Sequence, residues 1–118
     1  MISTVLHYFT PVKQLVNMLP FERLQNLNTK ENLWIYILSL LKKGPVYAWE
    51  IQATIEKKFG FKPGRITPYR ALYRLEEDGF VKSVMEERRR VYKITSKGLE
   101  EIKKAKNFYK TMMEQLND

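Results

Sequence analysis

Residues 66–95 read ITPYRALYRLEEDGFVKSVMEERRRVYKIT, and this stretch decides the fold. A short helix opens at Thr67-Pro68, where the threonine hydroxyl can cap free amides and proline suits the first helical position. Pro68, Leu72 and Leu75 fall on one face with Ala71 beside them. Asp78-Gly79 closes the helix, because glycine accepts a left-handed stop at no steric cost. Two strands follow, 81–86 and 91–95, around a turn that carries Arg88, Arg89 and Arg90. Alternation buries Tyr92 and Ile94 and leaves Lys93 outside. The link at 86–89 contains neither Gly nor Asn, so a loose tip is expected in place of a tight hairpin turn. A basic helix beside an arginine-bearing hairpin is the layout of a winged helix-turn-helix.

Working outward, Leu33 to Leu41 form a helix that is apolar nearly all round, as a central element should be. Gly44-Pro45 stops it. A second helix is expected from about Ala48 to Phe59, with Ile51, Ile55 and Phe59 four apart on its inner face. Thr95 or Ser96 caps a last helix whose apolar positions are Leu99, Ile102, Ala105, Phe108, Tyr109, Met112, Met113 and Leu116. Leu99, Ile102, Tyr109, Met113 and Leu116 follow an a/d-like rhythm, with Lys106 in one apolar slot and Met112 widening the stripe. So broad a face suggests a second subunit, against the blander reading that it packs within its own chain. Towards the amino terminus, Thr10-Pro11 looks like a helix start, and Phe21, Leu24 and Leu27 suggest a further amphipathic piece. The expected class is mainly α with a small β-hairpin: residues 1–30 a helical extension, 31–97 the winged helix, and 98–118 a dimerisation helix.

Composition narrows the function. The 118 residues carry a formal charge of +8 and no cysteine, which excludes disulfides and zinc-thiolate sites. Between Lys42 and Lys97 stand 14 Lys/Arg against 7 Asp/Glu, a net of +7, while the flanks hold 7 against 6, a net of +1. The excess is therefore regional and points to a polyanion. The 33–41 run is about half the roughly 20 residues that a bilayer span needs. No secretory signal pattern stands at the start, and a cytoplasmic, nucleoid-associated protein is expected. His7 is the single histidine and no glycine-rich loop opens a helix after a strand, so neither an enzyme, a metal nor a cofactor is expected.

Placing Pro68, Leu72 and Leu75 on the core turns Arg70, Tyr73 and Arg74 outward, with Thr67 and Tyr69 near the leading edge and Arg65 in the turn before. These residues are the candidates for the major groove and its flanking phosphates, where arginine can bond guanine bidentately. Arg88, Arg89 and Arg90 are the candidates for the minor groove or backbone. The rival is that Arg70 and Arg74 merely pair with Glu77 and Asp78 on a solvated face. A protein-interaction or RNA-binding winged helix is the alternative use of the same fold. Trp34, Tyr36, Trp49 and Phe108 are the aromatic candidates for an effector pocket, although aromatics at helical spacing more often form core.

Tyr69-Arg70-Ala71-Leu72-Tyr73-Arg74-Leu75-Glu76-Glu77-Asp78-Gly79 is similar to the Y-x-A-L-x-x-L-E-x-x-G signature of PadR-type transcriptional regulators. Residues 91–98 resemble that family's close of the wing, and residues 37–45 its opening helix, followed by Trp49-Glu50-Ile51 where Tyr-Glu-Ile is usual. Ile66, Pro68 and Arg70 depart from the family's common Gly, Leu and Pro. The resemblance spans about Leu33 to Gly98. It implies a homodimeric repressor that dimerises through its last helix and presents Tyr69 to DNA.

Overall fold

The computed structural model describes residues 18–117. The chain divides between Asn32 and Leu33 into two compact units. In the first, α1 (Pro20–Leu27) begins at a proline, tolerated there because the first amide has no intrahelical partner anyway. The Leu19 N–H donates to Glu22 Oε1 at 2.8 Å, and Asn28 Nδ2 donates back to the Leu24 carbonyl at 2.8 Å. Phe21, Leu24 and Leu27 are exposed. The helix expected from Thr10-Pro11 lies outside the described residues.

The second unit is built around α2 (Leu33–Lys42), which buries Leu33, Ile37, Leu38, Leu40 and Leu41. Its apolarity on nearly every side is explained by its neighbours, since it packs against the helix over residues 67–77, the last helix and the central strand. After it comes β1 (Val46–Tyr47), one 3-10 turn at Ala48–Glu50, and only then α3 (Ile51–Phe59). The helix expected from Ala48 thus starts three residues late. Val46 and Tyr47 are drawn into antiparallel pairing opposite Tyr92 and Val91, and Glu50 Oε1 accepts the Tyr47 N–H at 2.9 Å. Ile51 and Ile55 are fully buried, and Gly60 stops α3 at φ 81°.

The next helix, α4 (Thr67–Glu77), corrects one detail of the expectation. Ile66, not Thr67, occupies the cap position, and no side chain caps the helix. The Ile66 carbonyl already accepts the amides of Tyr69 and Arg70 at 3.0 and 3.1 Å, which makes Thr67 the first helical residue and Pro68 the second. The far end closes as foreseen. Gly79 sits at φ 85°, the Phe80 N–H reaches the Leu75 carbonyl at 2.8 Å, and the Gly79 N–H reaches Glu76 at 3.0 Å. These two bonds make a Schellman motif.

The hairpin consists of β2 (Val81–Glu86) and β3 (Arg89–Ile94), paired from Val81↔Ile94 to Glu86↔Arg89, and β3 lies centrally in the order β1-β3-β2. Here the expected loose tip is overturned. Glu87 and Arg88 alone form the turn, at φ 50° and 69°, the positive-φ pair that matches the right-handed twist of a two-residue hairpin. Six paired positions outweigh the roughly 1–2 kcal/mol that each side chain loses in the left-handed region. Arg89 and Arg90 are consequently strand residues, and only Arg88 is at the tip.

The last helix, α5 (Ser96–Leu116), is capped by Thr95, whose hydroxyl accepts the Gly98 N–H at 3.1 Å and donates to the Gly79 carbonyl at 2.8 Å. Gly98 is required by close approach: a β-carbon would collide with the Phe80 carbonyl oxygen and stand 2.7 Å from Ile94 Cγ1. Ile102 is 2% exposed in the core with Leu72, Val81 and Tyr92. It is thus withdrawn from the expected dimerisation stripe, because its own chain covers it. Leu99, Phe108, Met113 and Leu116 are exposed, and Tyr109 and Met112 are half-buried. Lys106 lies against Lys42, and that hydrogen-bonding contact first, its charge second, pulls the Lys42 ammonium below its ordinary pKa.

Candidate nucleic-acid interface

The outward face of α4 follows from its anchored face. Pro68, Leu72 and Leu75 are buried, so helical geometry sends Tyr69, Tyr73 and Glu76 along one edge and Arg70, Arg74 and Glu77 along the next. Tyr69, Arg70, Tyr73 and Arg74 are all exposed. The Arg70 side chain has no ion pair or hydrogen bond among the described residues. Arg74 Nε stands 3.6 Å from Asp78 Oδ2, both side chains well exposed. Such a pair is worth about 0–1 kcal/mol, so it restrains the Arg74 guanidinium without neutralising it. Half of the rival pairing is therefore present, and Glu77 takes no part in it.

The hairpin arginines do not act as a block. Adjacent strand residues face opposite sides of the sheet, and the contacts of Arg89 and Arg90 follow that rule. Arg90 Nη1 donates to Ser83 Oγ at 2.9 Å. Ser83 in turn donates both its hydroxyl and its backbone N–H to Glu76 Oε2, at 2.8 and 3.0 Å. This chain of hydrogen bonds ties the wing to α4. Tyr92 borders it: burial first, then the Glu76 charge, push its phenol above the usual tyrosine pKa, with Arg90 and Ser83 opposing. Arg89 looks the other way, its guanidinium carbon 5.8 Å from the Tyr47 ring centroid and 6.0 Å from that of Trp49. The two rings are themselves stacked at 6.3 Å and 21°.

Trp49 also lines a concavity of about 490 Å³ with Ala48, Gln52, Arg65, Ile66, Pro68 and Tyr69. Gln52 fixes the turn there, its Nε2 donating to the Pro63 carbonyl at 2.7 Å. The expected residues Arg65 and Tyr69 are thus linked through one indole to Arg89 of the wing. Sequence reading did not find Tyr47, Trp49 or Gln52 in this role. The one available signal was a tryptophan opening Trp49-Glu50-Ile51, and β1, at two residues, is too short to show a period. Trp49 was instead grouped with Trp34, Tyr36 and Phe108. Tyr36 packs edge-on against Phe59 and Phe61, whereas the ring neighbours of Trp49 are Tyr47 and Arg89. Among the described residues no acidic or histidine cluster could hold a metal, and no helix is long and apolar enough to cross a membrane.

A family model described as "Transcriptional regulator PadR-like family" matches residues 37–104, more than half of the chain. The chain belongs to this PadR-like family. The match begins inside α2, takes in the recognition helix and wing, and ends within α5, so it covers the elements just described. Among solved structures, a transcriptional regulator from Clostridium thermocellum is 33% identical at a TM-score of 0.66, covering 72% of this chain and 89% of its own. A PadR-family regulator from Clostridium difficile R20291 is 32% identical at a TM-score of 0.59, covering 72% and 97%. PadR of Bacillus subtilis, solved with operator DNA, shares the fold at 23% identity and a TM-score of 0.53, covering 61% and 46%. No curated protein matches. Membership in a family of transcriptional regulators accords with the expectation that the chain is not an enzyme.

Proposed function

We propose that this chain is a sequence-specific double-stranded DNA-binding regulator, acting as a homodimeric repressor in the cytoplasm, on the nucleoid. The observation that carries it is that Arg65 and Tyr69 share one concavity with Trp49, which stands 6.0 Å from the Arg89 guanidinium carbon, while Arg70 and Tyr73 are exposed on α4. In this reading α4 enters the major groove, Arg70 and Arg74 address base edges or phosphates, and Thr67, Tyr69 and Tyr73 bond the backbone. The wing lies along the minor groove or backbone, with Arg88 at its tip, Arg89 against the aromatics and Arg90 braced on Ser83. The net +7 of the 42–97 segment supports the same partner. Leu99, Tyr109, Met112, Met113 and Leu116 supply the dimer face, with Phe108 added by its exposure. Two half-sites about 34–36 Å apart would match such a dimer.

The test is a salt titration of duplex binding. Affinity should fall linearly with salt on logarithmic axes, by about 0.9 per phosphate neutralised. Removing the charges of Arg88, Arg89 and Arg90 together should lower both affinity and slope. An unchanged slope would take the wing out of the contact set, and no binding even in dilute buffer would end the proposal. Transcription from a promoter that the protein occupies should fall when the protein is added; a rise would reverse the polarity.

A further inference from the structure

Trp49 is 60% exposed, an unusual setting for an indole that has a core within reach. Its surroundings give it a specific chemistry. Tyr47 stacks against it, and Arg89 lies over the edge of both rings at a distance suited to cation–π attraction. The concavity on which it borders contains Arg65 and Gln52 and no carboxylate. Glu50, the acidic residue next to it in sequence, is turned to the Tyr47 N–H. Glu86 stands opposite Arg89 in the hairpin register without an ion pair to it, and an apolar plane flanked by two guanidinium groups, with no carboxylate in the concavity itself, fits a surface that alternates apolar sugar and anionic phosphate.

We propose that Trp49 and Arg89 form a DNA-backbone clamp outside the recognition helix, the indole lying on a deoxyribose and the guanidinium bonding the neighbouring phosphate. This rests on the DNA-binding reading above and adds a contact to it. The aromatic pair has two duties: it offers the sugar a flat apolar face, and it holds the Arg89 side chain in place before DNA arrives. Pre-ordering reduces the side-chain entropy lost on binding. The clamp makes no use of base edges, so it contributes to every duplex equally.

The experiment uses the full chain and a labelled random-sequence duplex of about three helical turns. Trp49→Ala should weaken binding about tenfold at every salt concentration, the effect of losing roughly 50–60 Å² of buried apolar ring. Its salt slope should fall by less than one phosphate, because Arg89 loses its support but keeps its charge, and Trp49→Phe should recover most of the affinity. Arg89→Ala should lower the slope by about one phosphate. The double variant should lose less than the sum of the two single losses, because Arg89 without its ring is already misplaced. In a Trp34→Phe background, whose melting is checked first, saturating duplex should quench or shift Trp49 emission; in the parent chain the Trp49→Ala variant should lose that response. Parent-like affinity of Trp49→Ala, or emission blind to bound DNA, overturns the clamp while leaving DNA binding by α4 standing. A parent protein that binds no duplex at any salt overturns both.

Discussion

At the scale of single residues, two arginines that look equivalent in the sequence are not so in the fold. Arg70 and Arg74 lie one turn apart on α4, yet the Arg74 side chain shares Asp78 while the Arg70 side chain is free of partners among the described residues. Arg70→Ala should therefore cost more DNA affinity than Arg74→Ala, by about 1–3 kcal/mol if Arg70 reads a base. Competition titrations against the selected site measure the difference, and equal losses would remove the distinction. Tyr92 supports a separate prediction. Its pKa is raised by burial and by Glu76, so the folded state favours the protonated phenol. That contribution to stability is complete below the unfolded tyrosine pKa of about 10 and disappears as pH rises past it. Melting temperature should drop in strongly alkaline buffer, and Tyr92→Phe should flatten the drop; parallel curves for the two proteins would contradict this. Some slope should survive, since burial and Tyr109 also raise the phenol of Tyr36.

At the scale of elements, the hairpin holds stored strain at a defined place. Glu87 and Arg88 occupy left-handed conformations that Asn and Gly adopt readily. Glu87→Asn with Arg88→Gly should raise stability by about 1–2 kcal/mol, seen as a melting temperature several degrees higher. A lower melting temperature would mean that the turn is not of this type. The bounds of β2, the glycine stop of α4 and the threonine cap of α5 were legible in residues 66–95 because each is a local preference, whereas β3 starts two residues before the expected Val91. The tight turn was not, because its local preference is unfavourable and pairing along β2 and β3 overrides it. The first turn of α3 escaped for a similar reason: Val46 and Tyr47 are claimed by Tyr92 and Val91 of β3, far along the chain.

At the scale of the whole molecule, the distal part of α5 is the decisive surface. Phe108, Met113 and Leu116 are 65, 60 and 75% exposed, an apolar run that a second subunit would cover. Met113→Asp with Leu116→Asp should convert a dimer to a monomer in sedimentation velocity. Melting of the protomer should shift little, since exposed positions usually stay within about 0.5 kcal/mol. A parent protein that sediments as a monomer would refute the dimer instead.

Periodicity, glycine and proline placement and the regional excess of cations determined the winged helix and its basic character from the sequence alone, and the motif at residues 69–79 carried the resemblance to its family. These are properties of short segments and of sums, which no folding event alters. Three-dimensional packing decided what the separate side chains do. It took Ile102 into the core, gave Arg90 to Ser83 and Glu76, and set Arg89 on Trp49. The physical reason is that a charge or an aromatic ring acquires its role from what lies within a few ångströms of it. Residues distant in the chain reach that range only once the core has closed.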